Sequence, residues 1–63
     1  RDMTQAINWW FGQNYTHMFL FAQDETGKTH RVQTRWKDGE PIEKAEMRCI
    51  LRMQKKHGLS TEF

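Results

Sequence analysis

Cysteine, proline and long apolar runs are scarce in this chain of 63 residues, and neither charge sign dominates. The single Cys49 excludes an internal disulfide, and the lack of a signal-like apolar run favours an intracellular compartment, cytoplasmic or nucleoid-associated. No stretch is long enough to span a membrane, so we expect no membrane partner. Ten Lys and Arg against eight Asp and Glu give a mild positive excess. A basic surface therefore has to come from how the charges are placed.

The motifs of catalytic and metal sites are missing from the sequence too. His17, His30 and His57 are not spaced as a metal site. Cys49 falls in the middle of a predicted helix, on the side expected to be buried, where a thiol is unreactive. No nucleophile-elbow or phosphate-loop motif occurs. We therefore expect no enzymatic activity, no metal and no cofactor.

The length predicts one small α+β domain, residues 1–63, near the lower limit at which a chain folds alone. Three Trp, four Phe, one Tyr and four Met are present, and such large side chains can fill a small core. Even so, a domain of this size can depend on oligomerisation or on a partner. Self-association therefore stays open.

The loop at residues 24–28 predicts a β-hairpin with strands at 15–24 and 28–36. Asp24 supplies the side-chain acceptor of a type I turn, and Gly27 suits the left-handed position that closes it. A two-residue turn centred on Thr26 and Gly27 would force the β-branched Thr26 to positive φ. We therefore pair Asp24 with Lys28, and the other pairs follow by counting outward.

This register sorts the hairpin into an aliphatic face and an aromatic, basic face. The pairs expected on the aliphatic face, which should be core, are Ala22 with His30, Leu20 with Val32, Met18 with Thr34, and Thr16 with Trp36. The pairs expected on the other face are Phe21 with Arg31, Phe19 with Gln33, His17 with Arg35, and Tyr15 with Lys37. Slipping one strand by one residue would instead make an ordinary core face of Phe19, Phe21, Val32 and Trp36.

Residues 3–11 are predicted to form a short N-terminal helix, with a third strand as the alternative. Asp2 and Gln5 make a plausible helix cap, and apolar side chains recur at helical spacing up to Gly12. The segment 7–11 is also rich in residues that favour sheets, and 12–14 could be a hairpin turn. The alternative gives a three-stranded sheet.

Residues 41–57 predict a C-terminal helix that packs across the aliphatic face, because Pro41 suits its start and Gly58 its end. The side chains expected on its buried side are Ile42, Ala45, Cys49, Ile50 and Met53. Met47 and Leu51 extend this stripe further than a small core needs. The opposite side carries a basic ridge of Lys44, Arg48, Arg52 and Lys55, a pattern that is also typical of a solvated helix face.

An aromatic sheet face beside Arg, Gln and Lys is one way in which proteins bind nucleic acid, because bases stack on rings and cations meet phosphates. We expect non-enzymatic binding of DNA or RNA. The residues expected to stack are Tyr15, Phe19 and Phe21. Those expected to contact phosphates are Lys28, Arg31, Arg35 and Lys37, with help from Lys44, Arg48, Arg52 and Lys55. Gln33 or His17 would contact a base edge, and a ribbon entering a DNA major groove is a second mode.

A hairpin or three-stranded sheet followed by one helix, with Arg and Lys on the sheet, resembles the small arm-type DNA-binding domains of phage and transposon integrases. The resemblance implies DNA binding in a phage or mobile-element protein, and it assigns no residue a role.

Two other interpretations stay open. The leader with Trp9, Trp10 and Phe11 could cover the aromatic face and bury it. Alternatively, Met47 and Leu51 could make the domain a protein-binding module, inhibitory or regulatory, that also acts as an oligomer.

Overall fold

The core of the structure is a three-stranded antiparallel sheet with one helix across one face. The computed structural model describes residues 3–61. Its elements in chain order are β1 (Thr4–Gln5), β2 (Asn8–Gln13), β3 (His17–Gln23), β4 (Thr29–Arg35), α1 (Ile42–His57) and β5 (Leu59–Ser60). The sheet has the spatial order β2-β3-β4, and β1 pairs with β5 in a short parallel ladder. The predicted α+β class is confirmed, whereas the parallel ladder was not foreseen.

The helix predicted for residues 3–11 is wrong, because this segment forms β1 and β2. β2 runs antiparallel to β3, with Trp9 opposite Ala22 and Phe11 opposite Leu20. Trp9 and Phe11 pack against the core, whereas Trp10 between them points to the other side of the sheet. Pairing with a central strand decides the conformation of this segment, which local spacing left ambiguous. The proposed cap residue Asp2 lies outside the described residues.

The turn after β3 has the chemistry predicted for it and sets the predicted register. The Asp24 N–H donates to the Lys28 carbonyl at 3.0 Å, and the Gly27 N–H donates to the Asp24 carbonyl at 2.9 Å. Asp24 Oδ1 accepts from the N–H groups of Thr26 and Lys28, and Gly27 has a φ of 89°. The resulting pairs include Leu20 with Val32, Phe19 with Gln33, and Phe21 with Arg31. The strands are shorter than the predicted 15–24 and 28–36.

The helix α1 begins after Pro41 and ends at Gly58, close to the predicted bounds. Pro41 occupies the N-cap position without a side-chain hydrogen bond, and Gly58 adopts a φ of 66° while its N–H donates to the carbonyl of Gln54 at 2.9 Å. The buried side of α1 carries Ala45, Cys49 and Met53. These side chains share one hydrophobic core with residues of the sheet, namely Met18, Leu20, Ala22 and Val32. No helix within residues 3–61 has the length and apolarity needed to cross a membrane.

Candidate nucleic-acid interface

The face of the sheet turned away from α1, here called the open face, carries a row of aromatic rings. Trp10 on β2 lies near-parallel to Phe21 on β3, with ring centroids 5.5 Å apart and planes 13° apart. Phe19 follows 6.3 Å from Phe21, and His17 follows 6.3 Å from Phe19. We call these four side chains the ring row. Trp10 extends the row within the sheet, and of the leader's aromatic side chains it stacks against Phe21 and covers that ring in part.

Gly12 helps to set the position of the Phe21 ring. Gly12 lies opposite Phe19 in the β2–β3 ladder, and a Cβ built on it would be 3.4 Å from Cε2 of Phe21. The ring of Phe21 therefore packs over the backbone of Gly12, as aromatic side chains do beside glycines in sheets. The Phe21 ring therefore has two neighbours on β2, the backbone of Gly12 and the ring of Trp10.

Arg31, Gln33 and Arg35 on β4 run beside the ring row on the open face, and all three are exposed. Two residues along a strand correspond to about 6.8 Å, so this polar column repeats at nearly the spacing of the rings. The guanidinium of Arg31 lies 5.7 Å from the ring centroid of Phe19, within the range of a cation–π interaction. Arg31 and Phe19 thus place a cation beside an aromatic ring on the open face.

Two arginines of α1 reach the outer edge of β4. Arg52 Nη1 donates to the carbonyl of Gln33 at 2.5 Å, and Arg48 Nη2 donates to the carbonyl of Arg35 at 3.1 Å. These bonds occupy backbone acceptors that an edge strand otherwise offers to another chain. The edge of β4 is consequently blocked against strand addition at these two positions.

The charge of Arg48 is balanced by Glu40. The two side chains form a double ion pair, with both nitrogen–oxygen distances 2.6 Å, and Arg48 Nε also donates to the hydroxyl of Thr34 at 2.9 Å. The hydrogen bonds from Arg48 lower the pKa of Glu40 to about 2, and the N–H of Lys37 adds to this effect. Arg48 therefore acts mainly as a clamp between the helix, the loop and β4.

Two adjoining clefts follow the edge of β4 between the open face and α1. They share Gln33 and Arg52. Apart from the clamped Arg48, the cations that line them, here called the edge cations, are Arg31, Arg35, Lys37, Arg52 and Lys56. In the described part of the chain, no Asp or Glu lines either cleft. The positive charge is therefore concentrated along one edge, although the net charge is only +2.

The remaining predicted contact residues lie elsewhere. Tyr15 is fully exposed in the turn between β2 and β3. Lys28 is at the β3–β4 turn, and Lys44 and Lys55 are exposed on α1. None of these four side chains lines the two clefts.

Sequence reasoning missed two residues, Trp10 and Lys56. The alternation of Asn8, Trp10 and Gly12 in the strand alternative would have placed Trp10 on the open face. Similarly, the four-residue spacing from Arg52 points to Lys56, whereas the three-residue spacing points to Lys55.

A separate polar cluster lies at the opposite end of the hairpin. His30 Nε2 is 2.8 Å from Asp24 Oδ2, and the rings of His30 and His57 are 4.7 Å apart. Hydrogen bonds from Thr26, then from His30, hold the pKa of Asp24 well below its usual range. Burial, followed by the neighbouring charge of His30, lowers the pKa of His57. Within residues 3–61, no group of three or more His, Cys, Asp or Glu side chains could hold a metal ion.

No protein-family model matches the chain, and no match was found among curated proteins or solved structures. The likeness to integrase arm-type domains therefore remains one of element order.

Proposed function

We propose that this domain binds nucleic acid without catalysing a reaction. Trp10, Phe19 and Phe21 of the ring row stack on bases, and the edge cations contact phosphates. The observation that carries the proposal is the direct adjacency of aromatic rings and unneutralised cations on one uncovered face of the sheet. Nucleic acids present both a π-face and a regular line of negative charge, so they complement both halves of this surface.

The rings are the first support for this proposal. Trp10 is 42 % exposed, and Phe19 and Phe21 are half-buried on the side of the sheet turned away from α1. Apolar surface that stays in water forfeits about 25 cal/mol per Å² of burial. A row of half-buried rings that ends in an exposed Trp is typical of a binding site.

The placement of acidic groups is the second support. Glu40 is tied to Arg48, and Asp24 is tied to His30 at the far end of the hairpin. Neither carboxylate lines the two clefts, although Glu40 accepts a hydrogen bond from the N–H of Lys37 and interacts with its charge. An anionic ligand would therefore meet an edge of one sign, which also speeds its association.

The proposal assigns roles within this surface. We assign stacking to Trp10, Phe19 and Phe21. Contacts with base edges are assigned to Gln33 and His17. The phosphate contacts are assigned to the edge cations. The proposal does not extend to Lys28, Lys44 and Lys55, because none of them lines the clefts.

A binding titration across a salt series tests the proposal. Phosphate contacts release counterions, so the logarithm of the association constant must fall linearly with the logarithm of salt concentration. With four or five contacts to a single strand, we expect a slope on the order of −3. Changing Arg35 to Gln should weaken binding and make the slope shallower by about 0.7 to 1. Binding that ignores salt, or no binding at all, contradicts the proposal.

A protein-binding or regulatory module is a second candidate, because Met47 and Leu51 on α1 are 48 % and 55 % exposed. They lie one helical turn apart and form an apolar strip on the helix surface. A partner, or a second copy of the chain, could bury this strip. Leu51→Glu should then abolish self-association or partner binding while leaving the circular dichroism spectrum unchanged.

A further inference from the structure

We infer that the ligand of the open face is single-stranded nucleic acid, with its bases splayed across the ring row and its phosphates along the edge of β4. This inference rests on the proposed function and specifies its ligand. It follows from three features of the structure: which strand carries the rings, how far apart they lie, and what blocks the edge of β4.

The first feature is the position of the rings at the centre of the sheet. Phe19 and Phe21 lie on β3, between β2 and β4, whereas the polar side chains are on the edge strand β4. In a duplex the base faces are stacked on one another, and only polar edges and phosphates are accessible. A duplex against the open face would press those polar groups onto rings that offer them no hydrogen bonds. An unpaired strand, in contrast, offers the faces of its bases.

The second feature is the spacing of the rings. Neighbouring centroids in the ring row are 5.5 to 6.3 Å apart. Successive bases in a stacked strand rise by about 3.4 Å. Bases that stack on successive rings must therefore be pulled apart to nearly twice their normal separation. A duplex cannot do this without melting, while an unpaired strand splays its bases at low cost.

The near-parallel pair of Trp10 and Phe21 leaves ring surface for this purpose. Centroids 5.5 Å apart at an angle of 13° correspond to an offset arrangement. Each ring therefore covers only part of its neighbour, in agreement with the 42 % exposure of Trp10.

The third feature is the blocked edge of β4. The carbonyls of Gln33 and Arg35 accept hydrogen bonds from Arg52 and Arg48, so an extended peptide cannot pair with them as an added strand. The clefts beside them keep cationic walls, including Arg31 and Lys56. A phosphate backbone can bind these cationic side chains without a hydrogen bond to the β4 carbonyls.

The spacing also sets the size of the site. Arg31 and Arg35 are four residues apart, about 13 Å along the strand, which matches the length of the ring row on β3. At one base for each ring, the site holds about three to four nucleotides.

The experiment measures the affinities of a labelled 12-nucleotide DNA, its RNA equivalent, and the same DNA as a duplex, each at low and moderate salt. We expect both single strands to bind at least tenfold more tightly than the duplex. Phe19→Leu and Phe21→Leu keep an apolar side chain but remove the ring, so each should weaken single-strand binding by roughly 5- to 100-fold and leave duplex binding unchanged. Arg35→Gln should weaken binding of both forms.

The outcomes separate the inference from the proposal beneath it. Duplex binding as tight as single-strand binding, or single-strand affinity unchanged in both leucine variants, overturns the inference while salt-dependent binding still stands. If no oligonucleotide binds, or if binding ignores salt, the proposed function itself fails and the inference fails with it. Circular dichroism of each variant checks that it folds as the wild type does.

Discussion

The two faces of β3 differ sharply, although they alternate along the same seven residues. On the helix side, Leu20 and Ala22 are fully buried and Met18 is 2 % exposed. On the open side, the rings of Phe19 and Phe21 lie 6.3 Å apart and remain half-buried. The larger side chains are thus outside the core, and the smaller aliphatic ones are inside it. A sheet built for stability alone would favour the reverse arrangement.

This contrast assigns separate tasks to the two faces. The helix-covered face holds the fold together through close packing. The open face contributes less to packing, and under the proposed function it is the face that binds the ligand. Substitutions on the covered face should therefore lower stability more than binding, and substitutions on the open face should lower binding more than stability.

The largest expected effect is on the covered face. Leu20→Ala leaves a cavity in the centre of the core and should cost about 2 to 5 kcal/mol, comparable with the whole stability of a domain this small. We expect the variant to be largely unfolded in a thermal melt followed by circular dichroism. Phe21→Leu, a milder change on the open face, should cost less than about 1.5 kcal/mol. Equal losses from the two variants would remove the distinction between the faces.

The clamp between α1 and β4 should show a pH-dependent contribution to stability. Because the pKa of Glu40 is about 2 in the folded protein and near 4.3 in an unfolded chain, the unfolded state binds the proton first as pH falls. The contribution is therefore complete above about pH 5 and is lost progressively towards pH 2. Glu40→Gln should lower the melting temperature at pH 7, and the curves of variant and wild type should converge at low pH.

Glu43→Gln provides the control for this prediction, since Glu43 is an exposed carboxylate in the first turn of α1. It should shift the melting temperature much less than Glu40→Gln. A difference between Glu40→Gln and the wild type that stays constant from pH 7 to pH 2 would show that the ion pair with Arg48 does not stabilise the fold.

A smaller effect is expected at Gly12, which seats the ring of Phe21. Gly12→Ala adds a Cβ at ordinary contact distance, 3.4 Å from the ring, so the ring can stay in place. Gly12→Val adds two further methyl groups and should displace Phe21 without weakening the strand, because valine favours sheets. We expect single-strand affinity to fall in the valine variant and to hold in the alanine variant. Equal affinities in a fluorescence anisotropy titration would contradict the role given to the Phe21 ring.

The smallest expected effect separates two adjacent lysines. Lys56 lines the cleft at the edge of β4 and Lys55 does not. Lys56→Gln should reduce the salt dependence of binding by one phosphate contact, about 0.7 in slope. Lys55→Gln removes the same charge from the same helix and should leave the slope unchanged. Identical slopes for the two variants would mean that binding depends on net charge and not on the clefts.

The hairpin could be predicted because its information is local. Asp24 and Gly27 define the turn, and the turn sets which residues face the core over the whole hairpin. The helix predicted for the segment with Trp9 and Trp10 was wrong because the order of apolar and polar residues in 7–11 fits both a helix and a strand. Pairing with β3 decides that this segment is a strand, and the local sequence pattern carries no information about that pairing.

The candidate site could be predicted only in part, for a similar reason. Phe19, Phe21 and Arg31 followed from the register. The clamp role of Arg48 did not, because it depends on the approach of α1 to the β4 edge and on the position of Glu40. Lys55 and Lys56 are neighbours in sequence and lie about 100° apart around the axis of α1. Residue spacing alone does not show which of the two faces the edge of β4.

The most direct test of the account is an NMR titration of the folded protein with a short single-stranded oligonucleotide. The account predicts shifts of the side-chain signals of Trp10, Phe19 and Phe21 that diminish as salt is added, with the signals of Leu20 nearly unchanged. Shifts confined to Met47 and Leu51 on α1, with the ring signals unmoved, would contradict it.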